Sequence, residues 1–247
     1  MKPQLSRFID IHCHILPGID DGPSSMAESV AIGRQYLHNG VTTVVATPHF
    51  VAGTAWSTPK EKIVQIVEAV TARFREEGVA LQILGGMEIA YHNKLAQRLE
   101  RGELLPLGNT NHFLIEPPFH GSCSEMIETV GELARSYQLI LAHPERIEFF
   151  QMNPHLLHEL VDKGVKTQIN SGSLLGWFGR SPRKLARQLG SRGSVHFIGS
   201  DSHNLKNRPP ISIQDWSDLQ RKGQDRAIVN GAMNNLKELF PAQINTA

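Results

Sequence analysis

Residues 8–14 read Phe-Ile-Asp-Ile-His-Cys-His, an apolar run that ends on two histidines two positions apart. Side chains alternate faces along a strand, so His12 and His14 share one face, with Asp10 one step earlier, and Cys13 points the other way. A lone histidine of this kind is usually a hydrogen-bonded core residue. Two on one face, followed by Asp20-Asp21, fit metal ligation better, and Asp10 is placed to orient a ligand from behind. The arrangement recurs along the chain: Thr47-Pro48-His49, Gly86-Met87-Glu88, Ile115-Glu116, His143-Pro144-Glu145-Arg146 and Ser200-Asp201-Ser202-His203.

The runs that carry these residues (8–12, 42–47, 81–85, 112–116, 139–142, 166–170 and 195–199) are rich in Val, Ile, Leu and Phe. They lack clean alternation, as strands buried on both faces should. Helical patterns lie between them. Met26, Val30, Gly33 and Leu37 form one face, with Ser24 or Ser25 as N-cap and Gly40 past the end. Ile63, Ile66, Val67, Val70 and Phe74 form another, opened by Thr58-Pro59 and closed near Gly78. Residues 125–136, 154–163 and 181–189 read similarly. About seven β–α units in 247 residues predict an α/β fold, a single-domain barrel that is incomplete or distorted. The stretch after Ser212 has no strand pattern and reads as helices on the outside. In such barrels functional residues sit where strands end and βα loops begin, and every candidate ligand has that position.

Composition narrows the functions. Net charge is +1, with 40% hydrophobic and 20% charged residues, which gives no basic field for a polynucleotide. No apolar stretch approaches the ~18 residues of a membrane span, and the first residues form no apolar leader segment. The two cysteines, Cys13 and Cys123, make no C-x-x-C pair; a reducing, cytoplasmic setting is expected. Neither is followed at short range by the arginine that a cysteine-dependent phosphatase loop needs, so that mechanism is rejected. The remaining histidines (His38, His92, His112, His120, His155, His158 and His196) lack the strand-end placement and read as structural or surface residues.

Taken together, D-x-H-x-H, D-D-G, T-P-H, G-x-E, E, H-P-E-R and G-S-D-x-H resemble the polymerase-and-histidinol-phosphatase (PHP) family. DIHCHILPGIDDGP (10–23), ATPHF (46–50), LAHPER (141–146) and GSDSHN (199–204) are similar to its bacterial metal-dependent protein-tyrosine-phosphatase branch of capsule and exopolysaccharide synthesis. The similarity covers residues 8–210. It implies one PHP-type phosphatase domain over residues 1–247, a distorted (β/α)7 barrel with its metal site at the C-terminal strand ends and a helical tail over 213–247. It also implies three divalent metal ions, Mn2+ first, with Zn2+ or Fe compatible with the same donors. Carried over by position, one ion takes His12, His14, Glu88 and Asp201, a second takes Glu88, Glu116 and His143, and a third takes Asp21, His49 and His203. Between Asp20 and Asp21 the family pattern favours the second.

The implied chemistry is hydrolysis of phosphotyrosine by a metal-bridged hydroxide. Arg146 and Arg208, three and five residues past a candidate ligand histidine, are placed to clamp the phosphate. The tyrosyl ring has Phe50, Trp56, Phe119 or Trp177 to rest on. The resemblance points to an autophosphorylating tyrosine kinase of polysaccharide export as the phosphoprotein partner, with no nucleic acid and no membrane insertion. Two other functions compete: a small-molecule phosphoesterase such as a histidinol-phosphate phosphatase, and a non-catalytic PHP regulatory module, for which lost ligands would be the sign. No position is lost.

Overall fold

The computed structural model describes residues 8–221 and 223–244, along which strands and helices alternate. The first half comprises β1 (Ile9–Cys13), α1 (Met26–His38), β2 (Thr43–Ala46), β3 (His49–Phe50), α2 (Lys60–Glu76), β4 (Gln82–Gly85), β5 (Glu88–Ala90) and α3 (Leu95–Glu100). Then come β6 (His112–Glu116), α4 (Ser124–Leu133), β7 (Gln138–Ala142), α5 (Glu148–Met152), α6 (Pro154–Asp162) and β8 (Lys166–Asn170). The chain continues through α7 (Ser171–Leu175), α8 (Arg180–Ser191), β9 (Phe197–Gly199), α9 (Ile213–Arg221), α10 (Gly223–Leu239) and α11 (Pro241–Ile244).

All seven expected strands are present, and β3 and β5 are additional. Two parallel sheets result, in the orders β1-β2-β4 and β3-β5-β6-β7-β8-β9. The additional strands mark where two barrel staves break and resume in the second sheet. The first break falls at Thr47-Pro48, where the missing proline N–H cannot extend a ladder. The second falls at Gly85-Gly86, where a Cβ on Gly86 would lie 3.0 Å from Val45 and 3.1 Å from Leu107. At the other seam the Asp201 N–H donates to His12 O and the His14 N–H to Ser202 O, both at 2.8 Å. With the parallel bridge between Cys13 and Ser202, these bonds join the last stave to the first. The result is the distorted α/β barrel of seven staves expected from the strand count.

Local signals explain the helix ends. The Ser25 hydroxyl accepts from the Glu28 N–H and opens α1, and Gly40, at φ +83°, closes it in the left-handed conformation glycine tolerates. The short helices α3, α5 and α7 carry too few turns for a periodic pattern and were not expected. Within the C-terminal tail α10 packs against α8 and β9 and α9 against α10 and α7, and these helices bury far more than the outer layer expected of the tail. Trp216 is fully buried with its ring 4.7 Å from that of Phe8, at the entrance to β1. Buried Asp225 on α10 accepts two bonds from Arg187 on α8, at 2.9 and 2.8 Å. No helix among the described residues is long and apolar enough to cross a membrane. The expectations about a leader and about the last residues of the tail fall on residues 1–7 and 245–247, outside the described residues.

Gly33 shows how tightly the helical layer meets itself. A Cβ there would lie 2.6 Å from the buried Phe74 ring, so α1 and α2 approach closely only because position 33 has no side chain. Gly33→Ala gains about 1 kcal/mol in helix propensity, but overpacking of this kind costs about 1–3 kcal/mol. We expect net destabilisation, read as a lower thermal midpoint; an unchanged or higher midpoint would show that the two helices are free to separate.

Candidate metal centre

At the C-terminal end of the barrel, the strands bring the candidate ligands to one place. Because His49 and Glu88 are register partners on the adjacent parallel strands β3 and β5, their side chains leave the ladder side by side. Glu88 is fully buried, and nitrogens of four histidines surround it: His143 Nε2 at 2.8 Å, His49 Nδ1 at 2.9 Å, His12 Nε2 at 3.1 Å and His14 Nε2 at 3.3 Å. His12, His14, Glu88 and Asp201 offer donor atoms all within 4.8 Å of one another, as do His14, Asp21, His49 and His203. Glu116 completes a third group with His49 and Glu88, and its Oε1 lies 3.7 Å from His143 Nε2.

The donors fit metal ions. His49 Nδ1, Glu88 Oε2, Asp201 Oδ1 and His203 Nε2 are buried and lack an aligned hydrogen-bond partner, although imidazole and carboxylate approach within 3 Å. Buried donors without an aligned partner, gathered into groups within 4.8 Å, are what bound cations would satisfy. Imidazole and carboxylate without thiolate suit Mn, Zn or Fe.

A surrounding set of bonds fixes the candidate ligands, and it differs in part from the expectation. Asp10 does not orient an imidazole. It accepts from the backbone N–H groups of His12 (3.3 Å) and Ser200 (2.9 Å) and from the Tyr36 hydroxyl (2.8 Å), so it ties β1 to the turn after β9. The ring partner of His12 is Gln168, whose Oε1 lies 2.7 Å from Nδ1. Asp20 and Asp21 divide the work: Asp20 Oδ2 lies 2.7 Å from His14 Nδ1, whereas Asp21 Oδ1 faces His203 Nε2 at 3.1 Å and His49 Nε2 at 3.4 Å. Gln168 and Asn170 were missed. They are buried amides two positions apart on β8, and that same-face spacing is a signal the sequence does contain.

Two candidate ligand positions carry unusual backbone. Among the described residues, His143 (φ +31°) and Asp201 (φ +56°) are the non-glycine residues with positive φ. This conformation costs about 1–3 kcal/mol and persists where surroundings over-determine it. The Asp201 carboxylate is held from three sides: Arg146 Nη1 at 2.7 Å, Asn170 Nδ2 at 2.8 Å and Arg208 Nη2 at 2.6 Å. Both candidate phosphate-binding arginines therefore meet at one buried acid. Arg146 is further sandwiched between the rings of Phe119 (5.2 Å) and Phe178 (4.3 Å). Of the aromatic candidates, Trp56, Phe119 and Trp177 are exposed near the site. Phe50 is not available: its ring is buried, packed against His92 and Arg98 where β3 ends.

The electrostatics follow from this crowding. Burial opposes ionisation of Glu88 and Asp201, yet the neighbouring histidines, with Arg208 at Asp201, outweigh it and hold both well below the usual carboxylate range. Burial likewise opposes charge on His49, but Glu88 and Asp21 raise it to about 10. Glu116 goes the other way, to about 8, through burial and then the charge on Glu88. Burial pushes the thiol of Cys13 far up and that of Cys123 to about 11, so neither supplies a thiolate.

A family profile described as "Capsular polysaccharide synthesis, CpsB/CapC" matches residues 8–240. The chain is 37% identical over 202 residues to the tyrosine-protein phosphatase YwqE of Bacillus subtilis, covering 81% of this chain and 79% of that one. It is 35% identical over 221 residues to the tyrosine-protein phosphatase CpsB of Streptococcus pneumoniae, covering 87% and 90%. Among solved structures, one from a study of these two proteins as metal-dependent tyrosine phosphatases superposes with a TM-score of 0.86 at 32% identity, covering 95% and 94%.

Within the His143–Arg146 motif, Glu145 is the residue whose role the sequence left open. It is fully buried; Oε1 accepts from the Asn170 N–H (2.9 Å) and the Ser173 hydroxyl (2.6 Å), and Oε2 has no partner. Burial raises its carboxyl from 4.5 to about 7. The folded protein thus keeps a proton that the unfolded chain releases, so stability is lost as pH rises through that window, by about 3 kcal/mol in all. Glu145→Gln keeps the acceptor oxygen and removes the titration. Thermal unfolding between about pH 5 and pH 8 should show a flatter pH dependence in the variant; equal slopes would exclude Glu145 as the source.

Proposed function

The chain belongs to the CpsB/CapC family of capsular polysaccharide synthesis, and from that premise and the geometry we propose that it is a metal-dependent protein-tyrosine phosphatase. The observation that carries the reading is the meeting of Arg146 and Arg208 on Asp201, inside a buried cluster of imidazoles and carboxylates. Three ions are proposed, Mn2+ first: one on His12, His14, Glu88 and Asp201, one on Glu88, Glu116 and His143, and one on Asp21, His49 and His203. The donor groupings support the first and third sets, and the approaches of His143 to Glu88 and Glu116 support the second. Divalent ions in such a setting polarise phosphoryl oxygens and make bound water acidic near neutral pH.

The chain's own residues supply position and charge. Arg146 spends Nη1 on Asp201, and its guanidinium plane is fixed by two rings, so its other N–H groups are presented in a set direction. Arg208 approaches Asp201 from the other side and also lies 3.7 Å from Asp21. Two planar donors flanking one point suit the equatorial oxygens of a transferring phosphoryl group. A phenolate leaving group, with a parent pKa of about 10, needs little help from a general acid. The proposed substrate is a phosphotyrosyl protein, an autophosphorylating tyrosine kinase of polysaccharide export, met in the cytoplasm.

Chelation should abolish hydrolysis of a phosphotyrosyl peptide and Mn2+ should restore it. Thiol alkylation should do little, because Cys13 and Cys123 are both buried. Inactivation by alkylation with metals intact would contradict the site. Side-by-side turnover of the peptide and histidinol phosphate separates protein from small-molecule substrates; a strong preference for the latter would overturn the proposal. No phosphomonoesterase activity in the metal-loaded protein would favour a non-catalytic module.

A further inference from the structure

Trp177 and Phe178 lie outside every motif that marks the metal centre, yet the fold delivers them to its edge. Gly176 and Gly179 bracket them at φ +93° and +96°, a conformation that favours glycine. The Trp177 N–H donates to Gly172 O at 2.9 Å. A Cβ on Gly172 would lie 2.8 Å from the Trp177 ring and 2.9 Å from the Phe178 ring. Both rings therefore rest on bare backbone of α7, the helix that begins directly after Asn170, the partner of Asp201.

The two rings do different things. Phe178 is committed to the Arg146 guanidinium, whereas Trp177 is 45% exposed. A cavity of about 260 Å3 opens between these rings and residues 206–209, and Asp201 and Arg208 also line it. In an aryl phosphate a single oxygen separates phosphorus from the ring, so the ring must lie next to whatever holds the phosphate. Arg208 is shared by the proposed phosphate position and this cavity. The other exposed rings are already engaged: Trp56 is stacked on His49 at 5.2 Å and Phe119 packs on His143 at 5.5 Å.

We propose that this cavity is the subsite for the aromatic ring of the phosphorylated side chain, with Trp177 as its specificity-determining wall. The proposal rests on the phosphatase reading above and adds where the leaving group sits. Its consequence is selectivity for aryl over alkyl phosphates, since an indole face stacks on an aromatic ring and gains little from a short alkyl chain.

The test compares benzylphosphonate, whose methylene takes the place of the ester oxygen between phosphorus and ring, with ethylphosphonate, which lacks the ring; neither is hydrolysed, and binding is read by calorimetry on the metal-loaded full chain. We expect benzylphosphonate to bind more tightly. Trp177→Ala should weaken it by about two- to tenfold, the range that one aromatic contact supplies. Ethylphosphonate binding should change much less, and Trp177→Phe should retain most of the benzyl preference. Equal losses for both ligands, or no loss for either, would overturn the subsite. Turnover of a phosphotyrosyl peptide by the unmodified protein is measured in parallel. A Trp177-dependent benzyl preference without turnover would sink the phosphatase reading alone. Turnover with no such preference would sink the subsite alone.

Discussion

A carboxylate with no solvent exposure, Glu88, stands within 3.3 Å of nitrogens from four histidines. A buried charge is tolerated only when it is paired or holds a metal. The need to compensate Glu88 accounts for the placement of the rest of the centre. His12 and His14 come from the end of β1, His49 from β3 and His143 from beyond β7, so elements far apart in sequence must arrive together. The barrel is the scaffold that makes this arrival possible, because its parallel staves all point their C-terminal ends one way.

The barrel is deformed to suit. His49 and Glu88 would sit elsewhere if β2 and β4 ran straight; breaks at Pro48 and at Gly85-Gly86 move both into the second sheet, in register with each other. Gly199 shows the same accommodation, since a Cβ there would lie 2.7 Å from that of His12. Strain at His143 and Asp201 is local; at Asp201 it is met by hydrogen bonds from Arg146 and Asn170 and by an ion pair with Arg208. Regularity is given up where ligands must converge and is kept on the helical side.

Strand-end histidines and carboxylates were legible because two local signals coincide, an apolar run and a ligand type that apolar runs rarely end on. The strand count and the parallel fold class followed from the same runs. The short strands β3 and β5 were not legible, because two or three residues carry no periodicity; their identity lies in their pairing partners. The roles of the supporting residues were hidden for a different reason, although the same-face spacing of Gln168 and Asn170 is visible in the sequence. Gln168, Asn170 and Tyr36 matter through atoms contributed by distant segments, such as the Tyr36 hydroxyl meeting Asp10, Ser200 and Ser202 at 2.8, 3.1 and 2.7 Å. The division of Asp20 from Asp21 is likewise tertiary: adjacent carboxylates are alike in spacing and type, the family resemblance favours Asp21, and the positions of His14 and His203 give the physical reason.

Joining both arginines to Asp201 has a further consequence for how substrate and metal would share the site. A guanidinium carries five N–H donors, and Arg146 gives one group to Asp201 while the rings of Phe119 and Phe178 keep it from swinging away. A phosphate held by its remaining donors would therefore be positioned by the same group that positions a proposed metal ligand. Arg208, ion-paired with Asp201 and close to Asp21, makes the same link between two of the proposed metal groups. Charge balance works in the same direction: ionised Asp201 draws the arginines in, and His12, His14 and Arg208 keep Asp201 ionised. Loss of either arginine would thus disturb the geometry of the candidate ligands as well as the proposed phosphate binding, which makes the pair a structural part of the centre rather than an attachment to it.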